Sequence, residues 1–288
     1  FDIVKNPFIK NLENWESTKD ILIMKNEIFV SYVEEASSDC TNVQILKAEL
    51  NLETLYFEKF FEYDECAQRG VSPYNAHQSG GKLLMFDDKT IAFTTGDFRR
   101  YGKSQDPESL FGKILLINIE TKQYEFLSTG HRNPQGLSKT NNSEYLISTE
   151  HGPKGGDEIN IIEIGKENNF GWPISSYGDH YDGLNKPEAP LNKSHTAFGF
   201  REPAWYFSRY QSDIHGISDI EINYFNEENS FFIGTLKAGL LYEIKADLEN
   251  NTITNIETFK IGDRIRDIIF YEKKNSYIFL LEEWPAFG

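Results

Sequence analysis

The chain of 288 residues has little cysteine, a deficit of positive charge and no long apolar run. Lysine and arginine number 29 against 45 aspartates and glutamates, which gives a formal net charge of −16 at pH 7. Nucleic acids and anionic membranes are bound by clustered basic residues, so we expect neither as a partner. No apolar run approaches the roughly 18 residues of a membrane-spanning helix, and we expect no membrane span.

The scarce cysteines and histidines also limit the chemistry. Cys40 and Cys66 either form a disulfide or remain two free thiols, and two cysteines alone do not determine a compartment. The six histidines show no HxxxH or HxH spacing and the cysteines no CxxC, which argues against a zinc site. The segment Gly80–Met85 lacks the strand–GxGxxG–helix context of nicotinamide-binding proteins.

The segments that are present are short and rich in β-branched and aromatic residues, with Asn, Asp, Gly or Lys between them. Strands are predicted at Ile21–Val33, Val43–Leu50, Leu55–Phe61, Lys82–Phe86, Ile91–Thr95, Lys113–Ile119, Tyr145–Ser148, Glu158–Glu163, Ile217–Ile222, Phe231–Thr235, Leu240–Lys245, Ile253–Lys260, Ile265–Tyr271 and Tyr277–Glu282. The best helix candidate, Asn11–Lys19, is poor, and Ser175–Ala204 is predicted to be a long loop. This pattern indicates an all-β sandwich, barrel or propeller.

Between Gly130 and Pro173, Gly, Pro and Asn are unusually dense. Such residues shape the backbone for close approach and positive φ. Arg132 and Asn133 provide hydrogen-bond donors, while Gly152 and Pro153 provide carbonyl oxygens suited to a hard cation. A donor cluster beside a carbonyl cluster is what an anionic cofactor and a calcium ion would require.

Several motifs in one order carry a family resemblance. They are HQSGGKLLMF from His77, TTGD from Thr94, QDPESLFGKILLI from Gln105, GHRNPQGL from Gly130, EHGPKGGDEINIIEIG from Glu150, NFGWP from Asn169, EPAWYF from Glu202, FFIGTLKAGLLYEI from Phe231 and DRIRDI from Asp263. Together they resemble the soluble PQQ-dependent aldose sugar dehydrogenases, the glucose/sorbosone dehydrogenase family.

The resemblance implies one β-propeller domain over residues 1–288, six-bladed in the family. The predicted strands supply between four and five blades. This low count indicates a trimmed chain or shortened blades. Phe1 is not an initiator methionine and no signal-type apolar segment follows it, so we expect a mature form or a fragment.

The same resemblance implies PQQ and Ca²⁺ as cofactors. It makes His77 the general base, since an imidazole can accept a hydroxyl proton near neutral pH. Arg132 would stabilise the cofactor oxygen that becomes anionic, with Asn133 beside it. The carbonyls of Gly152 and Pro153 would bind calcium, and His151 either contacts the cofactor or caps the loop.

Three further cations match the family's contacts to the carboxylates of PQQ: Lys237, Arg264 and Arg266. Arg264 and Arg266 are two residues apart on a predicted strand and so share a face. Asp157 and Glu158 either bind a metal or accept hydrogen bonds from backbone amides in the glycine-rich turn.

Three positions depart from the family pattern. Gly80 and Gly81 add a residue between His77 and the following basic residue, and Ser212–Ile217 replaces a Pro-Ser-Gly turn that lines the cofactor cavity. Ala76 stands where glucose oxidisers have an acid. The substrate is therefore left open.

Two functions are compatible with these residues. One is oxidation of the C1 hydroxyl of an aldose sugar to the lactone by hydride transfer to PQQ, with an external electron acceptor; the family implies a periplasmic or secreted location. The other is a non-catalytic propeller of the same lineage that binds a sugar or a protein.

Overall fold

Antiparallel β-hairpins form nearly all the regular structure in the computed structural model, which describes residues 18–37, 39–51, 53–208, 216–226 and 229–282. Helical residues in these ranges form the short 3₁₀ turns Tyr101–Ser104, Thr196–Phe198 and Glu272–Lys274. Over the same ranges no helix has the length and apolar character needed to cross a membrane. The chain divides into two units, Phe1–Asn133 and Pro134–Gly288.

The first unit contains two antiparallel sheets. One has the order β1–β2–β3–β4 with β5 paired to β3, and its strands are Thr18–Met24, Glu27–Ser37, Cys40–Glu49, Glu58–Phe61 and Ala67–Gln68. The other has the order β6–β7–β8–β9 and comprises Gly80–Asp87, Thr90–Thr95, Lys113–Asn118 and Tyr124–Thr129. The central strands β7 and β8 are buried on both faces, which suits the apolar runs Ile91–Phe93 and Ile114–Ile117 at their centres.

The two sheets of the first unit share an aromatic core. Phe61 on β4 meets Phe93 on β7 edge to face with ring centroids 6.3 Å apart, and the Phe29 and Phe60 rings lie 5.0 Å apart within the first sheet. Such pairs contribute about 0.5–1.5 kcal/mol each beyond the area they bury. Of the two cysteine states that the sequence allows, the structure has the disulfide, with the Cα atoms of Cys40 and Cys66 5.5 Å apart.

The second unit contains three antiparallel sheets. The first is β10–β11–β12–β13 with strands Pro134–Lys139, Tyr145–Glu150, Asp157–Glu163 and Trp205–Phe207. The second is β14–β15–β16–β17 with strands Ile217–Ile222, Ser230–Thr235, Leu240–Asp247 and Thr252–Lys260, and the third pairs β18 (Arg264–Tyr271) with β19 (Ser276–Glu282).

Buried hydroxyls connect successive sheets of the second unit. Thr149 Oγ1 on β11 donates to Ser218 O on β14 (2.5 Å), and Ser218 Oγ donates to Ile265 O on β18 (2.6 Å). Gly234 allows this approach, because a Cβ there would lie 2.7 Å from Ile265 Cγ2. Small and hydroxylated residues thus bring the sheets face to face around buried isoleucines.

The predicted all-β class is confirmed, with local corrections. The predicted strand Ile21–Val33 is a hairpin, because Lys25 adopts a φ of 57° in the turn between β1 and β2. The prediction missed β5, β9, β10 and β13. β10 contains Pro134 and Gly136, which are uncommon in strands, and β13 is only three residues long.

Other predictions have mixed outcomes. Ser175–Ala204 is confirmed as loop, with one 3₁₀ turn and isolated bridges. Most of the helix candidate Asn11–Lys19, up to Ser17, lies outside the described residues. Its last two residues, Thr18 and Lys19, begin β1, so the prediction of a helix is wrong for them. The assignment of residues 1–288 to a single domain stays a prediction.

Candidate functional site

In the first unit, Arg132 and Asn133 lie on the connection between β9 and β10 and are buried, with 7% and 5% of their surfaces exposed. Asn133 Oδ1 accepts a hydrogen bond from Gly80 N (3.1 Å), and Arg132 O accepts one from Asp97 N (2.9 Å). These bonds tie the pair to the start of β6 and to the segment after β7. The two predicted cofactor-contacting residues are therefore held in place by backbone from their own unit.

The Gln78 amide connects the loop of His77 to Arg132. In the amide orientation that satisfies hydrogen bonding, the Gln78 nitrogen donates to Asp97 Oδ1 (2.8 Å). The Gln78 oxygen then accepts from Arg132 Nη2 (2.9 Å) and Arg99 Nε (3.0 Å). Asp97 is fully buried and also accepts from Arg99 N (2.8 Å). The Gln78 amide therefore links the buried Asp97 carboxylate to the guanidinium groups of Arg132 and Arg99, and it orients Arg132.

His77 is exposed at the end of the loop before β6, and its backbone N donates to Asn75 Oδ1 (2.8 Å). The glycine pair that follows it has a conformational cause. Gly80 and Gly81 have φ values of 63° and 115°, and a Cβ on Gly81 would lie 2.4 Å from Lys19 Cβ. The departure from the family spacing thus accommodates β1 against β6.

In the second unit, Gly152 and Pro153 are buried in a tight turn between β11 and β12. A Cβ on Gly152 would lie 2.0 Å from Gly156 O, so only glycine fits there. Gly152 N donates to Asp157 Oδ1 (2.9 Å). The turn is compact and rich in carbonyl oxygens, which suits the predicted calcium ligands.

The His151 ring and the Lys237 backbone both lie close to Gly216. A Cβ on Gly216 would lie 3.5 Å from His151 Cε1 and 3.7 Å from Lys237 N, and Leu236 N donates to Gly216 O (2.7 Å). The Lys237 side chain is exposed. Gly216 belongs to the predicted departure Ser212–Ile217, of which Ser212–His215 lie outside the described residues.

Arg264 and Arg266 lie on either side of a register irregularity in β18, and both contact Glu282 on β19. Arg264 Nε lies 3.2 Å from Glu282 Oε2, and Arg266 Nη2 lies 2.5 Å from the same oxygen. Arg266 is exposed and Arg264 is partly buried. Contact of these arginines with a cofactor stays a prediction.

Three buried acids, Glu150, Asp157 and Glu158, lie close in the chain to the carbonyl turn at Gly152 and Pro153. Asp157 accepts backbone amides, whereas Glu158 pairs with Glu150 across β11 and β12, and both glutamates are buried. Burial, and then the charge of Glu150, holds the pKa of Glu158 well above its ordinary range. His195 Nε2 lies 3.7 Å from Glu158 Oε1, and burial lowers the pKa of His195.

The described residues contain no group of three or more His, Cys, Asp or Glu side chains placed to hold a metal ion. A calcium site in this part of the chain would therefore depend on backbone carbonyls and on oxygens from a bound ligand. Gly152 and Pro153 offer carbonyl oxygens, the donor type that calcium prefers, and calcium binding at this turn stays a prediction.

Comparison with known proteins identifies the lineage. Four-stranded antiparallel sheets are the blades of a β-propeller, and the fold matches a crystal structure of glucose dehydrogenase with a TM-score of 0.78, at 24% identity over 94% of this chain and 81% of that one. The predicted propeller class is confirmed. The family model for glucose/sorbosone dehydrogenases matches residues 22–285, and the chain belongs to that family.

Other similar proteins include two aldose sugar dehydrogenases. The aldose sugar dehydrogenase YliI of Escherichia coli K12 is 31% identical over 204 residues, which is 66% of this chain and 53% of that protein. The PQQ-bound aldose sugar dehydrogenase of Streptomyces coelicolor has a TM-score of 0.62 at 21% identity, over 91% of this chain and 73% of that one. The chain spans about half the length of the curated relatives it matches.

Sequence reasoning missed Gln78 and Glu150 as parts of the site. Both lie inside quoted motifs, directly after His77 and directly before His151. Position beside a candidate residue was the available signal, but only the folded chain shows which neighbours their side chains contact.

Proposed function

We propose that this protein oxidises the C1 hydroxyl of an aldose sugar to the lactone with PQQ and Ca²⁺. One observation carries the proposal. In a member of this family, the buried turn at Gly152 and Pro153 directly follows His151. The His151 ring lies close to Gly216, which also lies close to the backbone of Lys237. Carbonyl oxygens suit a calcium ion, and the exposed Lys237 side chain suits the carboxylates of a ligand bound beside it.

PQQ, when bound, supplies the two-electron acceptor that takes hydride from the sugar. Gly152 and Pro153 would hold the calcium ion through their carbonyls. Lys237, Arg264 and Arg266 would oppose the carboxylates of the cofactor, and Arg132 and Asn133 would donate hydrogen bonds to it. The net charge of −16 makes such local cations necessary, because the rest of the protein repels anions.

His77 would accept the proton of the C1 hydroxyl. Its exposure leaves the imidazole accessible to a substrate, while Gln78 and Gly80 anchor its loop to Arg132 and Asn133. An external electron acceptor would be required to take up the two electrons removed from the sugar. We also infer a periplasmic or secreted location, which the Cys40–Cys66 disulfide supports because disulfides persist in oxidising compartments.

The second candidate is a non-catalytic propeller that binds a sugar or a protein. The shared contact of Arg264 and Arg266 with Glu282 favours it, because an internal acid takes up charge that the cofactor would otherwise balance.

The two functions are separated by reconstitution. Apo-protein is titrated with PQQ in millimolar Ca²⁺ and in a chelator, and dye reduction is then measured with a panel of aldoses. The enzyme predicts calcium-dependent PQQ absorbance changes and sugar-dependent dye reduction. Absence of PQQ binding in Ca²⁺ would contradict the enzyme and leave the binding propeller.

A further inference from the structure

The carboxylate of Asp157 joins two separate segments of the second unit. Its Oδ1 accepts from Gly152 N (2.9 Å), and its Oδ2 accepts from Gly216 N (2.6 Å) and Ile217 N (3.2 Å). The residue opens β12 and is 3% exposed. One buried side chain therefore fixes both the carbonyl turn and the entrance to β14.

The second segment continues to the predicted cofactor contacts. Gly216 O accepts from Leu236 N (2.7 Å), the residue before Lys237. A Cβ on Gly216 would be 3.5 Å from the His151 ring, so this backbone packs directly on the residue before the carbonyl turn. A shift of Gly216 would move its neighbours on both sides.

We propose that Asp157 is a positioning residue that sets the calcium affinity of the Gly152–Pro153 turn, an inference that rests on the proposed function. Hydrogen bonds from amides to a carboxylate are strong and directional. By holding Gly152 N, Asp157 fixes the peptide plane that precedes the Gly152 carbonyl. By holding the amides of Gly216 and Ile217, it also keeps Leu236 and Lys237, which are hydrogen-bonded to Gly216 through Leu236 N, beside that turn.

Substitution of Asp157 by asparagine preserves shape but turns an NH₂ group toward amide donors. Loss of an outer partner of a metal ligand typically lowers metal affinity about 10–100-fold. We expect the Ca²⁺ concentration that half-saturates PQQ binding to rise by about that factor in Asp157→Asn. In the apo-protein, the amides of Gly152, Gly216 and Ile217 should exchange with solvent faster than in the wild type.

Asp219→Asn is the matched control. Asp219 is a buried acid of β14, in the same unit, whose Oδ2 accepts from Ile268 N (3.1 Å). Its substitution should lower the melting temperature without moving the Ca²⁺ midpoint. Asp157→Glu keeps the charge but displaces the carboxylate from the three amides, so it should also raise the Ca²⁺ midpoint. It replaces Asp157→Asn in the test if that variant fails to fold.

The experiment measures PQQ absorbance against Ca²⁺ concentration for all four proteins, with hydrogen exchange of their apo forms. A raised midpoint in both Asp157 variants, together with faster exchange at the three amides, supports the inference. A wild-type midpoint in the Asp157 variants would overturn it while the proposed function stands. A wild type that does not bind PQQ in millimolar Ca²⁺ would overturn the proposed function and the inference with it.

Discussion

Replacement of Lys113 by methionine tests how the first unit holds the segment that leads to Arg132. Lys113 is 1% exposed, and its Nζ donates to Lys103 O, Ser104 O and Phe111 O, each at 2.9 Å. Ser104 Oγ in turn donates to His131 O (2.7 Å). The ammonium thus closes a loop that supports the residue before Arg132.

The expected loss follows from these contacts. Hydrogen bonds from a charged group contribute about 1.5–3 kcal/mol each, so three would contribute roughly 4–9 kcal/mol. Burial of an ammonium costs several kcal/mol, which offsets part of that sum. Lys103 O and Ser104 O also accept from Asp106 N and Gly130 N, so they keep a donor in the variant. We expect Lys113→Met to lower the free energy of unfolding by about 2–4 kcal/mol.

Urea denaturation at pH 7 measures this change, with Lys89→Met as the control. Lys89 is exposed and its Nζ lies 3.8 Å from Glu120 Oε1, so its removal should cost less than about 0.5 kcal/mol. Losses below about 0.5 kcal/mol in both variants would refute the reasoning, because they would mean that the three carbonyls gain nothing net from the ammonium.

Three further outcomes are expected. His77→Gln should lower sugar-dependent dye reduction by about 10²–10⁴-fold with PQQ binding unchanged, and near-normal turnover would place the base elsewhere. Paired Cys40→Ser and Cys66→Ser substitutions should lower stability by about 3.5 kcal/mol, from the chain entropy of a closed loop spanning 26 residues; an unchanged urea midpoint would contradict this. The pKa of Glu158 is raised in the folded chain, so the folded chain still binds this proton when the unfolded chain releases it above about pH 4.5. The free energy of unfolding should therefore fall as the pH rises above that value. Glu158→Gln should flatten the fall in melting temperature as the pH rises above about 4.5, and an unaltered slope would assign that fall to other groups.

The sequence by itself determined the fold class and the family. β-Branched and aromatic runs are a local property of the chain, and they predicted strands such as β7, β8, β15 and β16 because burial on a pleated sheet selects those residues wherever they occur. The order of the motifs along the chain, which indicated the family, can likewise be read without a structure. The strands that were missed have weak local signals: β10 contains Pro134 and Gly136, and its pairing with β11 depends on contacts outside its own segment.

Only the tertiary structure decided which polar groups meet. Nothing local to Asp157 indicates that it reaches Gly216 and Ile217, 59 and 60 residues away. Arg264 and Arg266 were expected to face a ligand, yet both contact Glu282, which is brought beside them by the pairing of β18 with β19. Hydrogen bonds and ion pairs depend on distances of a few ångströms between residues far apart in the chain, and those distances exist only once the sheets have packed.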